Sequence, residues 1–122
     1  MQNSDQLPIY IKSYQLIKLL YGRIRSFPKE YKYTLGEEIL KLSWKCIDLT
    51  IEANVLPNDQ KHLKILELSN NFNKLKLRLR MTQEIGLIST KQFAHIYTYY
   101  MKEIGEMIGG WLNWAILQKN HE

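Results

Sequence analysis

Leu35, Ile39, Leu42, Cys46, Leu49, Ala53 and Leu56 follow one another in alternating steps of four and three. That spacing belongs to a helix with one face turned to a core. A second run, Ile65, Leu68, Phe72, Leu75 and Leu79, repeats it. So do Tyr10, Tyr14, Ile17, Tyr21 and Ile24 ahead of them, and Phe93, Tyr97, Tyr100, Ile104, Met107, Trp111 and Trp114 behind them. Four stripes within 122 residues leave only short connections, which makes consecutive helices antiparallel. The expectation is an all-α, up-down-up-down four-helix bundle, a single domain over 1–122 with helices at about 8–26, 29–55, 59–83 and 89–119.

The punctuation agrees. Pro8 suits a first helical turn, Phe27 and Pro28 interrupt the first pattern, and Pro57 with Asn58 interrupts the second. Asp59 offers a side-chain oxygen to cap a third helix, Gly86 breaks that helix, and Ser89 with Gln92 forms a capping box for the last. Six glycines and three prolines are too few for the closely spaced turns of a sandwich or barrel. From Lys74 to Arg80 basic residues and leucines alternate as in a strand, but no second alternating run exists to pair with it, so helix is expected there too.

Several function classes drop out. The chain is 45% hydrophobic and 24% charged, ordinary for a globular protein. Its longest uncharged apolar-rich stretch, 107–118, is far shorter than the roughly 20 residues of a membrane span. One cysteine, Cys46, forms no internal disulfide and fits a reducing cytoplasm; on its seam it reads as a small buried hydrophobe. His62, His95 and His121 lie far apart with no second His or Cys at i+3 or i+4, so no metal site is expected. Aspartates occur only at Asp5, Asp48 and Asp59, without the pairing that nucleotide polymerisation requires. Gly105, Gly109 and Gly110 follow no strand and precede no Lys-Ser/Thr, so they are no phosphate loop. Glu37 and Glu38 point about 100 degrees apart on a helix and suit its N-terminal dipole. No catalytic residue, metal or cofactor is expected.

What stands out is positive charge. Seventeen Lys and Arg against twelve Asp and Glu give +5. Lys74, Lys76, Arg78 and Arg80 fall within seven residues with no acid between them. On a helix Lys74 and Arg78 share one flank, Lys76 and Arg80 the other, with the leucines between them buried. Such ridges are either a solvated face or a phosphate-binding surface. Arg23, Arg25, Lys29 and Lys32, with Tyr31 and Tyr33 among them, make a weaker cluster at the first loop, placed for phosphate contacts or base stacking. Helical glycine costs about 1 kcal/mol relative to alanine, so Gly105 and Gly109, four apart and followed by Trp111, mark a close approach of another helix, within the bundle or from a second subunit.

Three stretches carry a resemblance. They are Phe27-Pro28 leading to Thr34-Leu35-Gly36, the second-helix ending Ile51-Glu52-Ala53-Asn54, and Gly105 leading to Gly109-Gly110-Trp111-Leu112. In order and spacing the chain resembles the accessory variability determinant (Avd) proteins of diversity-generating retroelements. The resemblance implies a ring-like or barrel homopentamer without a catalytic centre, which binds the reverse transcriptase and its structured RNA, template repeat and spacer, and supports mutagenic cDNA synthesis. It assigns a basic pair on the third helix to Lys74 and Arg78, with Lys76 and Arg80 behind them. The proteins of intervening sequences in ribosomal RNA genes share this bundle but usually carry Arg-x-Ser and Asn-Ile-Ala-Glu-Gly in helix two, where this chain has Leu42-Ser43-Trp44 and Ile51-Glu52-Ala53-Asn54. The competing reading is a structural helical homo-oligomer, or an intervening-sequence-type protein, whose Gly105, Gly109 and Trp111 face makes subunit contacts and whose partners are proteins. A helical chorismate-mutase reading, by analogy of fold, needs its cations inside the core, whereas these flank the seam.

Overall fold

In the computed structural model, which describes residues 4–120, Pro8 occupies the first turn of α1 (Pro8–Ile24). His121 and Glu122 lie outside the described residues. The face α1 buries is Ile9, Ser13, Leu16, Ile17, Leu20 and Ile24; Ile17 and Ile24 of the expected stripe are inside, and its tyrosines are not among them. Tyr14 and Tyr21 are exposed, and a parallel stripe that is aliphatic apart from Ser13 fills the core in their place. Tyr21 uses its hydroxyl to accept a hydrogen bond from Trp44 Nε1 at 3.0 Å.

The second expected helix is divided. Pro28 precedes a single turn, α2 (Lys29–Lys32), and α3 (Leu35–Val55) begins only after Tyr33 and Thr34. Thr34 sits at φ −118°, ψ −91°, outside the helical region, with its Oγ1 donating to the Glu30 carbonyl at 2.6 Å. Gly36 explains the division: a Cβ there would meet Ile24 Cγ2 at 2.7 Å and the Tyr31 carbonyl at 3.3 Å. Only a bare backbone lets the α2 turn and the end of α1 fold against the start of α3.

Between α3 and α4 (Lys61–Glu84) lies a 3-10 turn, Asn58–Gln60. Asp59 is part of that turn and does not cap α4, whose N-cap position is Gln60 without a side-chain hydrogen bond. The junction is closed from the other side. Lys61, only 6% exposed, donates from Nζ to the Ala53 carbonyl at 2.8 Å and the Asn54 carbonyl at 2.7 Å, both at the end of α3. Burial lowers its pKa below the usual lysine value.

The far end of α4 closes as the sequence indicates. Gly86 takes φ +82°, Leu87 N donates to the Thr82 carbonyl and Gly86 N to the Gln83 carbonyl, a Schellman termination. The Ser89 and Gln92 capping box is present in both directions at 3.0 and 2.9 Å and opens α5 (Thr90–Ile96). One π turn, Tyr97–Met101, joins α5 to α6 (Lys102–Lys119), making one long arm. Its inward residues are Ile96, Met101, Ile104, Ile108 and Ala115. Of the expected stripe Ile104 is inside, Phe93, Tyr100, Met107 and Trp111 pack half-buried against the core, and Tyr97 and Trp114 are exposed. The step of five from Ile96 to Met101 is what a π turn permits, and it keeps both residues inside.

Thus α1, α3, α4 and the α5–α6 arm form a four-helix bundle, with α1 and α4 each packed on α3 and on α6. Among the described residues there is no strand, and no helix is long and apolar enough to cross a membrane. The main core joins Leu16, Leu20, Ile39, Leu68, Phe72 and Ile104 from all four arms. A smaller cluster of Ala53, Ile65 and Ala115, under Trp111 and Leu112, seals the end near the α3–α4 junction. Asn71 pins α3 to α4 from inside, donating from Nδ2 to the Leu42 carbonyl at 2.8 Å and to Cys46 Sγ at 3.1 Å. Burial pushes the Cys46 thiol up from 9.0 to about 11, against a smaller lowering by that bond.

Candidate nucleic-acid interface

The last three turns of α4 have an inner edge of Leu75 and Leu79, 1% and 3% exposed. Leu77, expected to be buried with them, stands out at 53% exposed. It lies about 100 degrees per residue from either neighbour on the helix, opposite the seam. The cations therefore sit on two flanks of an outward apolar ridge, and the flanks are not equivalent.

On the α3 side, Arg78 is half-buried. Its Nη2 lies 3.5 Å from Glu38 Oε1 and its Nη1 donates to the Lys74 carbonyl at 3.3 Å. On the α6 side, Lys76 Nζ rests 5.6 Å from the centre of the Phe72 ring, and Arg80 Nε is 3.8 Å from Glu84 Oε1 in an exposed pair. Exposed pairs of that kind contribute at most about 0.5 kcal/mol, so Arg80 remains open to a competing anion. Among the described residues no carboxylate lies within ion-pair distance of Lys74 or Lys76. Lys74, Lys76 and Arg80 are thus the exposed cations of this face, with Arg78 held back by Glu38.

The first-loop cluster occupies the same end of the bundle, because α1 ends and α3 begins where α4 ends. Arg25 and Lys29 are exposed, whereas Arg23 and Lys32 are half-buried. The Arg23 Nε is buried and has no hydrogen-bond partner among the described residues. Tyr31 packs on the core and Tyr33 is 58% exposed.

The glycine pair expected on one face divides. A Cβ on Gly105 would lie 3.3 Å from Phe72 Cε2, so this glycine serves the approach of α4 to α6 within the chain. Around Gly109 and Gly110 there is open space. Trp111 packs on both core clusters, and Trp114 is 37% exposed.

One feature has no counterpart in the apolar periodicity. A groove runs between α4 and the π turn, with a depression of about 320 Å³ floored by Leu79, Phe93 and Met101 and edged by Lys76, Arg80 and Tyr97. Spacing placed Tyr97 on the seam, which conceals an exposed aromatic beside two cations. The available signal was the five-residue step between Ile96 and Met101. Among the described residues no cluster of three or more His, Cys, Asp or Glu side chains could hold a metal ion.

Comparison with curated proteins and with solved structures gives no match. A family model described as bAvd-like matches residues 8–115, from the first residue of α1 through the last buried residue of α6. With all four arms of the bundle inside that match, the chain belongs to the bAvd-like family.

Proposed function

We propose that this Avd-type accessory protein binds structured RNA through the outer face of α4 and presents it to the reverse transcriptase of a diversity-generating retroelement as a homopentamer without catalytic chemistry of its own. The observation that carries the RNA part is the exposure of Lys74, Lys76 and Arg80 within two turns of α4, with one weak carboxylate partner among them. Arg25 and Lys29 extend positive charge around the same end. The polymerase and the pentamer come from family membership.

The test is equilibrium binding to a long structured RNA across a salt series, with particle mass recorded in the same buffer. Wild type is expected to bind as an assembly of several chains with a steep salt dependence. Lys74→Glu combined with Lys76→Glu should weaken it, each lost phosphate contact flattening the logarithmic slope by about 0.7 to 0.9. An unchanged slope in a folded oligomer removes this face from the site.

A second reading has its own support. Leu63, Leu66, Leu77 and Leu117 are 44% to 67% exposed, the first three of them on α4. A helical oligomer with protein partners alone would use these residues, and would bind no RNA even at low salt.

A further inference from the structure

The groove beside the π turn is more than a gap between helices. Its main depression, about 320 Å³, is at the small end of ligand sites and combines an apolar floor with a few polar groups at the edge, as such sites do. It adjoins a second depression of about 360 Å³, and the two share Lys76, Tyr97 and Met101. Met101 is 4% exposed and forms the floor, and Tyr97, 48% exposed, stands at the wall with an aromatic face to offer. Lys76 and Arg80 lie one helical turn apart on the opposite wall.

We propose that this groove receives one unpaired nucleotide of bound RNA, its base stacked on Tyr97 and its flanking phosphates on Lys76 and Arg80. The inference rests on the RNA-binding reading and adds to it a preference for single-stranded segments. The charge pattern selects the occupant. A wholly apolar peptide helix would leave both cations unused at the rim, whereas a nucleotide matches a cationic edge with a flat apolar face. A duplex keeps its bases stacked inward, so only an unpaired base can enter a recess. In the second depression Lys102 is accompanied by Glu106, whose carboxylate disfavours phosphate. The strand's phosphates are thereby confined to the Lys76 and Arg80 edge. Asn73, also at the main depression, supplies an amide able to pair with a base edge.

The experiment compares wild type, Tyr97→Ala, Tyr97→Phe and Lys76→Glu for binding to a short oligouridylate and to an RNA duplex of equal length. Tyr97→Ala is expected to weaken single-strand binding about 5- to 150-fold without changing its salt slope. Duplex binding should stay as in wild type, and Tyr97→Phe should retain the single-strand affinity. If Tyr97→Ala binds the single strand normally while Lys76→Glu does not, the groove proposal is overturned and the RNA-binding reading survives. Equal weakening of single strand and duplex by Tyr97→Ala also overturns it. Failure of wild type to bind either RNA at low salt removes both. A change of oligomer mass in Tyr97→Ala, with RNA affinity intact, assigns the groove to a protein occupant and overturns the nucleotide.

Discussion

Lys61 and Asn71 in the first half of α4 and the exposed cations of its second half are treated in opposite ways. In the first half Lys61 and Asn71 are 6% and 4% exposed, and each donates two hydrogen bonds to α3. In the second half Lys74, Lys76 and Arg80 reach solvent, and the one carboxylate near them is a loose exposed partner. A lysine at one end of the helix is therefore part of the scaffold, and a lysine four turns later is part of the surface. Net charge does not separate the two, so the formal +5 is a poor guide to where an anion would sit.

The contrast is most severely tested by disturbing the closed half. Leu68→Ala, at a position with no exposure, should cost about 2 to 5 kcal/mol in denaturant unfolding. Lys61→Met comes next. It removes the Nζ bonds to the Ala53 and Asn54 carbonyls and should cost about 1 to 3 kcal/mol, whereas Lys76→Met should change stability by less than about 0.5 kcal/mol. Equal losses in the two lysine variants would erase the distinction.

A pH titration sharpens it without mutation. A thiol whose pKa rises from 9.0 to about 11 on folding gives stability that is complete below pH 9 and is lost as the pH climbs through 11. At pH 8 the native thiolate fraction is roughly one in a thousand, so Cys46 should resist alkylation until the protein unfolds. Rapid modification in the native state would show that the α3–α4 seam is open. The smallest effect belongs to Arg80→Ala, which should shift stability by less than about 0.5 kcal/mol yet reduce the salt slope of RNA binding.

Most of the architecture was legible because the seams of α3 and α4 are aliphatic and unbroken. Ile39, Cys46, Leu49, Ala53, Ile65, Leu68 and Leu75 are all buried where spacing put them. The capping box and Gly86 were equally plain, since each depends on local geometry. Periodicity failed where two stripes compete. On α1 the tyrosines keep helical spacing beside Leu16 and Leu20, and only packing reveals which set is inside. It failed again at Thr34, where close contact between Gly36 and Ile24 breaks a pattern that looks continuous. Lys61 and Asn71 fall on the α4 seam itself. Their polarity hid them, although a polar residue in seam register is itself a sign of a buried hydrogen bond.

At the interface, sequence clustering drew attention to Lys74, Lys76, Arg78 and Arg80 but not to their inequality. That difference depends on Glu38, forty residues from Arg78 along the chain and 3.5 Å from it in space. Tyr97 stayed concealed because an unbroken helix would have turned it inward.

The π turn has a consequence for how this arm tolerates changes in length. Ile96 and Met101 are five apart and both inside, so the arm carries one more residue there than a regular helix would need. Deleting a single exposed residue such as Thr98 or Tyr99 would leave Ile96, Met101, Ile104, Ile108 and Ala115 in steps of four, three, four and seven, all in phase with one helical face. The same deletion inside α4 would rotate every later side chain by about 100 degrees and carry Leu75 and Leu79 out of the core. The bulge thus has the form of an insertion absorbed without loss of phase, and the arm would keep one and the same interior with or without that residue.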